Sequence, residues 1–167
     1  MLYMIYSKGE CHLMTLKLVR ASLIAALYVV LVLIFNPISF GPIQCRVAEG
    51  LTVLPFIFPE AVPGLFIGCL IANIFGGSIW DIIAGSLATL LAAWLTSKAP
   101  NLYWAAVPPV VVNALVVGSY LGKITDIPFY LAIPYVAVGQ AIACFGIGIP
   151  LVRLLQKVFF TGSSYKY

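Results

Sequence analysis

Arg46 and Glu49 stand three residues apart in "SFGPIQCRVAEGLTVLPF", residues 39–56 of a 167-residue chain in which only 8% of residues are charged. That spacing puts both on one face of a helix. A charged side chain inside a bilayer costs about 2.5 to 3.5 kcal/mol on insertion scales, so ions in such surroundings face a cavity they serve or pair with each other. Both readings stand for this pair: two groups of a binding site, or an interfacial ion pair. Asp81, in the first turn of a later apolar stretch, has the same two sides. It is a helix cap or a site residue. Asn73, Asn113 and Gln140 complete the polar set, and single amides of this kind also serve as glue between helices.

The elements that must position these residues follow from composition. The chain is 63% hydrophobic with a mean hydropathy of +1.11, and a soluble domain of that make-up could not cover its surface with polar groups. The sequence predicts an all-α integral membrane protein, a bundle of six transmembrane helices. Apolar runs punctuated by Gly, Pro and charge place the spans at about 16–35, 44–58, 61–75, 78–96, 101–120 and 128–160. The second and third are short for a crossing and are expected to be tilted, broken or shielded. One domain covers residues 14–160, after an N-terminal extension at 1–13 that has no recognisable structural pattern and is expected to be disordered or cytoplasmic; Met14, just beyond it, is a second possible start. A tail at 161–167 follows.

Orientation rests on the nine Lys and Arg residues. With six crossings, Lys8, Lys17, Arg20, Lys98, Arg153, Lys157 and Lys166 fall on one side and only Arg46 and Lys123 on the other, which predicts a plasma-membrane protein with both termini in the cytoplasm. On this map Arg46, Glu49, Asn73, Asp81, Asn113, Tyr120, Tyr135 and Gln140 all lie in the outer half. The inner half is almost featureless. Five spans thus bring polar groups to one depth, which favours a pocket open to the outside.

Absent motifs narrow the chemistry. No GxxxxGK stretch is present to cradle a nucleotide phosphate. Cys11, Cys45, Cys69 and Cys144 are scattered and His12 is the sole histidine, so no metal site, cofactor or nucleic-acid partner is expected, and no Ser, His and Asp set suggests hydrolysis. A pocket with neither chemistry nor an energy source points to a binding subunit driven by partners. "ASLIA" in the first span places Ala21 and Ala25 one turn apart on a smooth face, a candidate partner interface, although Gly64 and Gly68, and Ala84 and Ala88, repeat the pattern.

With these features the chain resembles the substrate-binding S components of energy-coupling-factor (ECF) vitamin transporters. "FGPIQCRVAEGLTVLPF", "PGLFIGCLIANIFGG", "DIIAGSLATLLAA" and "NALVVG" make it similar to the queuosine-precursor transporter family from about Leu16 to Lys157. Ala48 and Gly50 depart from the Ser-Glu-Ala-Leu pattern usual around the family's glutamate. The resemblance implies a small-molecule substrate of the 7-deazaguanine class, a transmembrane coupling protein (EcfT) and two ECF ATPases as partners within the lipid bilayer, and release of the ligand inside by toppling of the S component. A 7-deazaguanine presents N1–H and an amino group side by side, which suits the carboxylate of Glu49 or Asp81. Its O6 suits Asn73, Asn113, Gln140 or Arg46, and its ring suits an aromatic face such as Phe40, Trp80 or Tyr135. An S component for another vitamin, such as thiamine or riboflavin, and a stand-alone small membrane channel or enzyme are the alternatives.

Overall fold

Without water, a long aliphatic run can satisfy its backbone polar groups within itself only as a helix. In the computed structural model, which describes residues 2–39, 46–125 and 127–159 with the side chains of 2–12 and Ile38 excepted, every regular element is helical. Phe40, Gln44, Cys45 and the tail with Lys166 lie outside the described residues. Helix α1 (Leu2–Ile34) leads through a single turn, α2 (Asn36–Ser39), and a 3₁₀ helix (Val47–Phe56) to α3 (Ala61–Gly76). A π-type turn (Asp81–Gly85) opens α4 (Ser86–Thr96), and the short α5 (Leu102–Ala105) precedes α6 (Val107–Ile124). Helix α7 (Phe129–Ala141) continues through a second π-type segment (Ile142–Gly148) into α8 (Ile149–Phe159).

Among the described residues, three helical stretches are long and apolar enough to cross a membrane: Leu13–Ile34, Leu102–Ile124 and Phe129–Phe159. The other three, Val47–Phe56, Ala61–Gly76 and Asp81–Thr96, are shorter. Proline accounts for several of the irregularities. Pro108 and Pro109 sit at the start of α6, where a missing N–H costs nothing. Pro150 is the second residue of α8, and the carbonyl four residues back that its ring would strike, that of Gly146, lies in the wider winding of the π-type segment.

Small residues decide how the helices meet. In hydrocarbon there is no hydrophobic drive between helices, so close backbone approach and dispersion must hold them. Gly68 of α3 lies so near α1 that an added Cβ would come within 2.9 Å of the Ala25 carbonyl oxygen, and Gly64 abuts the Ala21 carbonyl still more tightly. The half-exposed Ala21 and Ala25 therefore border a seam within the chain. Gly148 meets the 3₁₀ helix in the same manner, its added Cβ falling 2.7 Å from the carbonyl oxygen of Gly50. Large apolar side chains, Leu23, Leu27, Ile74, Leu91 and Trp94 among them, are turned outward. One end of the bundle is tied by Arg20, which pairs with Glu60 at 3.1 Å and lies over the Phe58 ring.

Candidate functional site

The other end holds the polar groups. Glu49 is only 1% exposed, on the 3₁₀ helix that inserts between longer elements. Its Oε1 accepts the Tyr28 hydroxyl from α1, and its Oε2 accepts Asn113 Nδ2 from α6 at 3.0 Å. Its backbone is fixed as well, since the Glu49 carbonyl accepts the Thr52 hydroxyl at 2.6 Å and the Cys144 thiol at 3.6 Å. Elements distant in sequence thus converge on one residue.

Beside it lies a buried ion pair. Arg46 Nη2 donates to Asp81 Oδ1 at 2.8 Å, and Arg46 Nε donates to the Ser39 carbonyl at 3.3 Å. The Tyr120 hydroxyl donates to the same Oδ1 at 2.8 Å, while Oδ2 accepts the backbone N–H of Ser78 at 3.0 Å and its hydroxyl at 2.7 Å. Asp81 is therefore a helix-start group that also neutralises a buried arginine. The π-type turn that begins here exposes the Asp81 carbonyl to Asn73 Nδ2 at 2.7 Å, and the same amide nitrogen reaches Ser86 Oγ at 3.2 Å. Gly85 lies close to this arrangement, since a Cβ there would stand 3.1 Å from the Tyr120 hydroxyl.

Arg46, Glu49, Asn73, Asp81 and Asn113 are thus brought together, as their residue types anticipated. Arg46 and Glu49 hydrogen-bond through their backbones at 3.0 Å, yet the salt bridge that Arg46 forms is with Asp81, 35 residues away. Gln140 is 3% exposed and sits one turn before Cys144, the residue that touches Glu49. Trp80 and Tyr135 are not brought to the cluster: they are 55% and 47% exposed. Phe40, the other expected aromatic face, is outside the described residues. Tyr28 is the member that sequence reasoning overlooked, although a phenol in the middle of "LIAALYVVLVLIF" is a hydroxyl that hydrocarbon cannot satisfy. Ser78 was overlooked too, and with Tyr120, which the sequence places in the outer half, it is a partner of Asp81.

The site holds carboxylate, guanidinium, amide and phenol groups, which recognise polar ligands by hydrogen bonding. Comparison with known proteins specifies it further. The profile of the family described as "QueT transporter" matches residues 18–157. This chain belongs to the QueT transporter family. It is also similar to the queuosine precursor transporter QueT of Lactococcus lactis subsp. cremoris, at 38% identity over 79 residues, which are 46% of this chain and 47% of that protein. The match thus spans about half the length of that relative. No solved structure matches the chain. Family membership and the long apolar helices together support a location in a membrane.

Proposed function

We propose that this chain is the substrate-binding S component of an ECF-type transporter and that it takes up a queuosine precursor of the 7-deazaguanine class from outside the cell. The observation that carries this reading is Glu49, wholly buried and gripped on both oxygens by neutral donors from two different helices. A carboxylate held so deep in an apolar protein is a functional group by default, because structure alone would be served more cheaply by an apolar residue. Glu49 and the amide oxygens of Asn73, Asn113 and Gln140 supply acceptors for the N–H donors of the ligand. The similar Lactococcus protein bears the name of a queuosine precursor transporter, which supports the same ligand class.

Six crossings fit this role. The 3₁₀ helix of ten residues rises about 2.0 Å per residue and so reaches about 20 Å, and the sixteen residues of α3 reach about 24 Å. Both suit short, shielded spans. The excess of Lys and Arg at the Arg20 and Arg153 end orients that end and both termini toward the cytoplasm, with the polar cluster toward the outside. Uptake is driven by a transmembrane coupling protein and two ATPases. Ala21 and Ala25, at the open border of the α1–α3 seam, are where the coupling protein comes close.

A thermal-shift panel on the purified chain tests the reading. Stabilisation by 7-deazaguanines and not by thiamine or riboflavin is the expected result. Stabilisation by one of those vitamins instead reassigns the substrate, and ion conductance in vesicles without any partner replaces the transporter reading with a channel.

A further inference from the structure

The buried charges do not cancel. Among the described residues the buried ions are Arg46, Glu49 and Asp81, one cation against two carboxylates. The carboxylates are not equivalent. Asp81 receives Arg46, Tyr120 and two donors from Ser78, which fills the roughly four acceptor positions of a carboxylate. Glu49 receives one neutral donor on each oxygen, so about half of its acceptor positions remain open.

The surroundings of Glu49 share its character. Among the described residues, the buried polar atoms without a hydrogen-bond partner are Asn73 Oδ1, Asn113 Oδ1, Gln140 Oε1 and Ser39 Oγ. Three of these are amide carbonyl oxygens, which only accept. The two asparagine orientations are fixed by their nitrogens, since Asn73 Nδ2 donates to the Asp81 carbonyl and Ser86 while Asn113 Nδ2 donates to Glu49. With both carboxylates ionised the interior carries one uncompensated negative charge, and it is rich in unfilled acceptors. It calls for a ligand that brings donors and positive charge.

We propose that Glu49, positioned by Tyr28 and Asn113, is the counter-ion of a cationic substrate, so that among 7-deazaguanines the protein selects the form with a protonated aminomethyl group over the neutral nitrile. The inference rests on the 7-deazaguanine reading above and assigns the charge-recognising role to Glu49 rather than Asp81. An ammonium offers three donors and no acceptor, which complements this interior. A nitrile offers only an acceptor and leaves the carboxylate without a counter-charge.

Calorimetric titration of the purified wild-type chain with the aminomethyl and nitrile compounds tests this without any substitution. The expected result is at least about tenfold tighter binding of the aminomethyl form, with the difference collapsing in Glu49→Gln while Tyr28→Phe narrows it. Equal wild-type affinities, tighter binding of the nitrile, or an equal loss for both ligands in Glu49→Gln overturns the inference and leaves the 7-deazaguanine site standing. Failure of both compounds to bind overturns that site reading, and the inference with it.

Discussion

Tyr28 of α1 donates its hydroxyl to Glu49 of the 3₁₀ helix, and both side chains are buried. A bond between a neutral donor and a carboxylate in low dielectric orients that carboxylate while leaving further acceptor positions on its oxygens. The first helix thereby sets the position of the residue on which the proposed site depends.

Removing that donor gives the first prediction. Tyr28→Phe keeps the ring and its packing but leaves Glu49 Oε1 without its phenol partner. Hydrogen bonds to charged groups contribute about 1.5 to 3 kcal/mol, so ligand affinity should fall by about tenfold to a hundredfold. Titration of the variant, with circular dichroism to show that the fold persists, checks this. Unchanged affinity removes Tyr28 from the site.

Asp81 has a fuller set of partners, Arg46, Tyr120 and Ser78, which predicts a structural role. Asp81→Asn leaves Arg46 buried without its counter-ion, and breaking one half of a buried pair costs about 3 to 5 kcal/mol. The folded yield and melting temperature should drop sharply, with cationic and neutral ligands affected alike. Replacing both members, Arg46→Met with Asp81→Leu, should recover much of the loss in thermal unfolding. A selective loss of the cationic ligand in a stably folded Asp81→Asn protein would instead make Asp81 a ligand group.

The α1–α3 seam separates packing from coupling. Gly64→Val drives a side chain into the Ala21 carbonyl, and overpacking of this kind costs about 1 to 3 kcal/mol, so its melting temperature should fall. Ala21→Trp and Ala25→Trp, on the half-exposed border, should abolish uptake in cells while the isolated subunit still binds ligand. Loss of binding together with uptake confines both alanines to the seam.

Much of this cluster was legible because polar residues are conspicuous in an apolar chain. Arg46, Glu49, Asn73, Asp81 and Asn113 each break a hydrophobic run, and hydrocarbon leaves such groups no alternative to one another. Their pairing was not legible. The three-residue spacing of Arg46 and Glu49 suggested a contact, but Arg46 precedes a 3₁₀ helix rather than lying within an α-helix, and the two side chains take different partners. Helix identity was easier than helix form: the third run, expected at 61–75, folds as Ala61–Gly76, whereas the 3₁₀ winding and both π-type segments depend on tertiary contacts such as Gly148 against Gly50. Trp80 and Tyr135 stand half-exposed, apart from the buried cluster, and aromatic residues suit a ligand face and a lipid-facing surface equally well.

The claim that the buried cluster binds the substrate is tested most directly at Glu49. Glu49→Gln keeps the size of the side chain and turns one acceptor into a donor facing an N–H of the ligand. An unmatched buried polar group costs about 1 to 3 kcal/mol, so titration of the purified variant with the aminomethyl 7-deazaguanine should give an affinity about tenfold to a hundredfold weaker than wild type. Near-wild-type affinity in a folded Glu49→Gln protein contradicts the account and removes Glu49 from the site.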